Sequence, residues 1–287
     1  MKILINFIFV YMILFPNCKI NLGLHILHKR SDDYHAIETV FYPLPLFDAL
    51  EVVTMSRQES SLHLPFTMSG LEIEGHPGSN LCIRAYRLLK QDHPGLPRVK
   101  MHLHKLIPTG AGLGGGSADA AFTLTLLNKK FKLGLSTEKL LNYALMLGSD
   151  CPFFIINQPS FAQGRGEMLE PIPLSLSGYR AVIINPGIHI NTSNAFMNIH
   201  PEKPGYSLKV QILKPVEEWK EGITNDFEKW AFEQYPELGK IKTDLYKAGA
   251  VYASMSGSGS TVFGLFKGKP SIEMEKDPDW FYRELDL

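Results

Sequence analysis

Three short stretches of this chain carry the residue types that chemistry on a phosphate would need. Between Pro108 and Ala121 it reads PTGAGLGGGSADAA, with five glycines among the seven residues from Gly110 to Gly116. Upstream, PNCKINLGL sets Lys19 among apolar residues; downstream, GSDCPFF sets Asp150 two residues before Pro152. Glycines reach positive φ and let main-chain N–H groups come close to an anion, and a helix starting at about Ser117 would aim its N-terminal amides and dipole at the same anion. The loop therefore suits phosphates, and the Ser117 hydroxyl could serve a phosphate oxygen or a magnesium ion. Taken alone, Lys19 reads as a solvated residue on a strand and Asp150 as a loop residue after a helix. Beside bound phosphates the two acquire a common use. Phosphoryl transfer from a nucleotide to an alcohol rests on positioning and charge neutralisation, served by a carboxylate near the attacking hydroxyl and a cation near both.

Two familiar phosphate loops do not account for the glycines. The pattern G-x-x-x-x-G-K-[ST] fails because no lysine follows them. Gly110, Gly112 and Gly115 do satisfy G-x-G-x-x-G, but that fingerprint needs a second parallel strand after its helix, with an acid near its end. Here a second helix comes next.

The elements that must hold these stretches are legible in outline. Partial alternation from Ile13 to Leu27 predicts a strand, and LPLFDALEVVTM (44–55) a second. NLCIRAYRLLKQ (80–91) has helical spacing. RVKMHLHKLIP alternates Val99, Met101 and Leu103 against Lys and His, a strand running straight into the glycine loop. A helix over 117–131 ending at Gly134 and another over 136–148, capped by Ser136 or Thr137 and by Gly148, follow. YRAVIINPG predicts a strand, residues 223–249 helices, and VYASMSGSGSTVFGLF a strand, a glycine turn and a strand. The expected division is a domain over 12–160 and another over 161–287.

Composition bounds the partners. Lys plus Arg and Asp plus Glu number 29 each. With no basic block long enough to track a phosphate backbone, a small molecule rather than nucleic acid is expected. Cys18, Cys82 and Cys151 are scattered and unpaired, which argues against disulfides or zinc and suits a reducing cytoplasm. The apolar run from Ile3 to Phe15 is the length of a signal-peptide core and shorter than the roughly 20 residues of a membrane span. Without a small-residue cleavage site after it, the simpler expectation is a start at Met12 and no membrane association.

Taken together, PNCKINLGLHILHKRSDDYHAIETVF, PTGAGLGGGSADAA and SMSGSGSTVF resemble the GHMP kinase superfamily, named for galactokinase, homoserine kinase, mevalonate kinase and phosphomevalonate kinase. The first stretch, with Lys19, Asn21, Lys29, Arg30, Tyr34 and His35 in order, is most similar to the branch acting on a cytidine diphosphate methylerythritol. The resemblance implies an α+β, two-lobed kinase with its active site in the cleft between lobes, using ATP and Mg2+, as a monomer or homodimer. It implies Lys19 and Asp150 as the catalytic pair. Pro108, Thr109, Gly110, Ala111, Gly112, Leu113, Gly114, Gly115, Gly116, Ser117 and Ala118 would wrap the ATP phosphates, with Asn80, Leu81 and Lys105 near the adenosine. Asn21 and Thr192 fall on the substrate side, Tyr34 and Phe196 correspond to walls around a pyrimidine whose polar edge His35 reads, and Gly257 and Gly259 lie in a third motif that closes on the phosphates. The rival readings are another small-molecule kinase of the superfamily and a silent sensor of ATP and a metabolite.

Overall fold

The computed structural model describes residues 12–56, 64–72, 77–199, 201, 204–271 and 277–287. The apolar run expected to precede the folded chain therefore lies, up to residue 11, outside the described residues.

Three four-stranded sheets and eight α-helices make up the described fold. In the first sheet the order is β1 (Met12–Leu14), β4 (Ala49–Thr54), β6 (Val99–Lys105), β5 (Phe66–Gly70). The second runs β2 (Asn17–Lys29), β3 (His35–Phe47), β7 (Ser160–Gly164), β8 (Met168–Pro171). The third runs β10 (Tyr252–Met255), β11 (Val262–Phe266), β9 (Arg180–Asn185), β12 (Phe281–Asp286). The helices are α1 (Leu81–Asp92), α2 (Gly115–Phe131), α3 (Thr137–Leu147), α4 (Cys151–Ile156), α5 (Thr192–Met197), α6 (Leu208–Gln211), α7 (Phe227–Gln234) and α8 (Pro236–Lys247).

The single strands expected over 13–27 and 44–55 each divide between two sheets. The chain leaves the first sheet at Phe15–Pro16 and returns to it at Asp48, whose N–H donates to the Pro16 carbonyl at 2.8 Å. Asp48 forces its turn because its carboxylate is drawn inward: it pairs with the buried Lys105 ammonium and accepts the N–H groups of Leu106 (2.6 Å) and Ile107 (2.9 Å). Helix α2 begins at Gly115 rather than Ser117. It ends at Lys132, which takes the left-handed capping position (φ 50°) expected of Gly134. Ser136 and Gly148 cap α3 as its sequence indicates, Ser136 accepting the Lys139 N–H. Strands β5, β7, β8 and β12 have no counterpart in the expected elements.

Two cores hold the site in place. One packs β4 and β6 against α1, α2 and α3 through Leu50, Val52, Leu89, Met101, Leu103, Leu124, Leu127 and Leu140. Another joins β2 and β3 to β9 and β11 through Ile20, Leu22, Val40, Ile183, Phe263 and Leu265, so the two halves of the chain share apolar burial directly. The expected boundary at residue 160 falls at the first residue of β7, which pairs with β3 and β8. All three cysteines are free and buried, and burial pushes the Cys18 and Cys151 thiols up to about 12, where they are inert.

Candidate active site

A cleft of about 1150 Å³ takes its lining from both halves of the chain, including Lys19 and Asp150 from one and Thr192 and Gly257 from the other. Its floor is the glycine loop. Three consecutive carbonyls of that loop are held from behind: Ala111 accepts from Thr261 N–H (3.3 Å), Gly112 from Lys19 Nζ (3.0 Å) and Ser256 Oγ (2.8 Å), and Leu113 from Lys19 N–H (3.0 Å). Across each planar peptide the N–H opposes the carbonyl, so the N–H groups of residues 112–114 are turned away from those donors. Gly112 and Gly114 sit on the cleft wall, and α2 begins directly after them, so the N–H groups form a concave site for an anion. The glycines are sterically required. A Cβ on Gly112 (φ 79°) would lie 2.0 Å from the Ser256 carbonyl, and one on Gly114 (φ 70°) would lie 2.9 Å from the Phe154 ring.

Lys19 is 3% exposed, yet its ammonium reaches the cleft between three groups. It donates to Asn21 Oδ1 (2.6 Å) and Gly112 O (3.0 Å) and stands 3.6 Å from Asp150 Oδ2. Burial holds its pKa below the ordinary lysine value, against the opposing pull of the Asp150 carboxylate. Asp150 precedes α4 without spending its carboxylate on the helix cap, and it is 35% exposed in the cleft. The charged pair thus meets beside the phosphate-shaped loop, where a hydroxyl could be aimed at a phosphoryl group.

The other expected residues divide. Leu81, Thr109, Gly110, Ala111, Gly112, Gly114, Gly115, Gly116, Ser117, Tyr34, His35, Thr192, Phe196 and Gly257 line the cleft. Leu113 and Ala118 are buried behind it. Asn21 lines it too, but its amide is occupied: it accepts from Lys19 and donates to Thr39 Oγ1 at 2.9 Å, so it orients the lysine. Asn80 spends its side-chain oxygen capping α1 at Cys82 N–H (2.9 Å). Lys105, expected near the adenosine, is fully buried under the loop, its ammonium bound by Asp48 and by Asp119 Oδ2 at 2.8 Å; any contact with a nucleotide there falls to its main chain. Burial, opposed by Lys105 and reinforced by Asp48, pushes Asp119 up to about 7. The open slot expected between Tyr34 and Phe196 is also modified. His35 stacks on Phe196 (centroids 4.8 Å, planes 10° apart), and the Arg165 guanidinium lies 4.5 Å over the Tyr34 ring.

Several positioning residues escape sequence reading. Ser256 donates to the Gly112 carbonyl and accepts the Asn21 N–H at 3.2 Å, tying the third glycine motif to the first strand and the loop. Asn225 donates to the Met255 (2.8 Å) and Gly257 (2.9 Å) carbonyls, and Asp226 accepts the Ile26 N–H (2.7 Å). Glu228 accepts the Met255 N–H at 2.8 Å. Asn225, Asp226 and Glu228 stand together at the start of α7, but the groups they hold lie in distant segments of the chain. Among the described residues, no group of three or more His, Cys, Asp or Glu side chains is gathered for a metal ion, and no helix is long and apolar enough to cross a membrane.

Family comparisons agree with this geometry. Residues 80–158, which hold the loop and Asp150, match the GHMP kinases N terminal domain, and residues 211–275, which hold the third motif, match the GHMP kinases C terminal domain. The chain belongs to the GHMP kinase family. A 4-diphosphocytidyl-2-C-methyl-D-erythritol kinase of Bacteroides fragilis is 55% identical over 263 residues, covering 91% of this chain and 94% of its own. The same kinase of Bacteroides thetaiotaomicron is 53% identical, covering 94% and 96%. A crystal structure of 4-(cytidine 5'-diphospho)-2C-methyl-D-erythritol kinase superposes with a TM-score of 0.76 at 32% identity, covering 90% of this chain and 91% of that one.

Proposed function

We propose that this chain transfers the γ-phosphoryl group of ATP to the 2-hydroxyl of 4-diphosphocytidyl-2-C-methyl-D-erythritol, a step of non-mevalonate isoprenoid precursor synthesis. The observation that carries the reading is the Lys19–Asp150 pair at 3.6 Å beside the glycine loop, in a cleft that extends to Tyr34, His35 and Phe196. Relatives of that name, alike along nearly the whole chain, support it.

The loop from Thr109 to Ser117 holds the ATP phosphates with main-chain N–H groups and the start of α2. Asp150 hydrogen-bonds the substrate hydroxyl, aims its oxygen and takes its proton, while the Lys19 charge offsets the negative charge that develops during transfer. Asn21 and the Gly112 carbonyl keep that ammonium in place. Tyr34, His35 and Phe196 bind the pyrimidine by stacking and edge hydrogen bonding. Magnesium, when bound with ATP, would neutralise phosphate charge. The Ser117 hydroxyl on the cleft wall is the oxygen donor that would suit it, since this ion keeps several waters and takes most other ligands from phosphates.

A coupled ADP-release assay offering the cytidine compound, homoserine and mevalonate in parallel tests the reading. Turnover with the cytidine compound alone is expected. Turnover with homoserine or mevalonate instead would move the assignment within the family, and ATP binding without turnover of any of the three would make the chain a sensor.

A further inference from the structure

The cleft has two recognised ends, and one side chain spans the interval. The hairpin turn between β7 and β8 brings Gly166 against Asp150, where a Cβ would lie 3.7 Å from Asp150 Oδ1, and the next residue back, Arg165, reaches across to cover the Tyr34 ring at 4.5 Å. A substrate with its hydroxyl at Asp150 and its base at Tyr34 must lay everything between those groups past this arginine. In a nucleoside-diphosphate substrate, that connecting part carries the negative charge.

Arg165 is also the cation in the cleft with binding capacity to spare. Lys19 is committed to Asn21 and Gly112, and Lys29 pairs with Asp33 at 3.1 Å. The Nε atom of Arg165 is buried without a hydrogen-bond partner, Glu167 Oε1 standing 3.8 Å away. An unsatisfied, partly desolvated guanidinium on a cleft wall is costly unless a ligand anion completes it, and its planar fork matches phosphate oxygens.

We propose that Arg165 binds the diphosphate of the substrate and is a specificity residue for nucleoside-diphosphate alcohols over uncharged ones; this rests on the functional reading above. Its fork is turned to the diphosphate, and its plane rests over the Tyr34 ring.

The test compares wild type with Arg165→Met and Arg165→Lys, using steady-state kinetics with the cytidine compound and ATP and competitive inhibition by CDP and by cytidine. Arg165→Met should raise KM for the cytidine compound and Ki for CDP by about ten- to a hundredfold, the worth of charge-assisted hydrogen bonds. The KM for ATP and the Ki for cytidine should hold within about twofold, a change of roughly half a kcal/mol or less. Arg165→Lys should recover part of the loss, since an ammonium keeps the charge without the fork. An unchanged Ki for CDP would overturn the proposal. So would equal weakening of CDP and cytidine, which would reduce Arg165 to a support for Tyr34. Failure of the wild type to turn over the cytidine compound would count against the functional reading instead, and calorimetric titration of CDP into wild type and Arg165→Met would still decide the role of Arg165.

Discussion

The Lys19 ammonium stands 3.6 Å from Asp150 Oδ2, outside hydrogen-bond distance, while two neutral acceptors hold it at 2.6 and 3.0 Å. Asp150 therefore feels the positive charge without spending its lone pairs on it, and those lone pairs remain for a hydroxyl proton. A tight ion pair in the same place would have been a structural bridge.

Asp150→Asn should accordingly lower kcat by about 10²–10⁴ while ATP binding is kept, since one proton acceptor is removed and the loop is untouched. Steady-state rates together with nucleotide titration check this, and near-normal turnover would remove Asp150 from the reaction.

The pKa of Lys19 is lowered from 10.5 by burial, so its charge is lost at a lower pH than that of a free lysine as pH rises. Activity should fall on the alkaline side before pH 10.5 is reached, and Lys19→Arg, whatever its rate, should lack that limb. A pH–rate profile in which both proteins decline together would disconnect the limb from Lys19.

Gly112→Ala should depress kcat/KM for ATP by about a hundredfold, because displacing the loop misplaces the phosphates it presents. Gly134 shares the positive φ (69°) but has nothing within 4 Å of a Cβ, so Gly134→Ala should cost about 1–2 kcal/mol of stability and leave the kinetics alone. Equal kinetic loss in both variants would mean that backbone strain, and not the contact with Ser256, governs the loop.

Burial pushes the Asp119 carboxyl up from its ordinary value of 3.8 to about 7 in the folded chain, against the pull of Lys105. Between those values the folded protein keeps a proton that the unfolded chain has released, so this group makes stability fall as pH rises across the window and adds no further change above it. Asp119→Asn should flatten that part of the stability curve in denaturant titrations run from pH 4 to 8. An unaltered slope would assign the proton elsewhere.

What the sequence discloses is what neighbours in the chain can encode. Lys19, Asp150 and the glycine loop stand in compact motifs whose composition already restricts their chemistry. The alternation that placed Val99, Met101 and Leu103 on one face also puts Lys105 on the buried side, so its burial could have been read by following the parity two residues further. Strand β3 is harder to see because Pro43 and Pro45 interrupt its pattern. Arg165 and Asn225 were out of reach for another reason. Asn225 acts on Met255 and Gly257, Asp226 on a strand 200 residues earlier, and Arg165 on Tyr34, so each role exists only once distant segments meet.

The Gly112 carbonyl, which takes hydrogen bonds from Lys19 and Ser256 together, makes three sequence motifs into one mutational unit. Substitutions at Lys19, Gly112 and Ser256 should be strongly non-additive, because the first to displace that carbonyl removes what the others would have removed. For the same reason, a loop taken from a distant relative would perform poorly unless the partners of its carbonyl came with it. Variation at these three positions is thus expected to be joint, and the tolerance of any one of them to be set by the state of the other two.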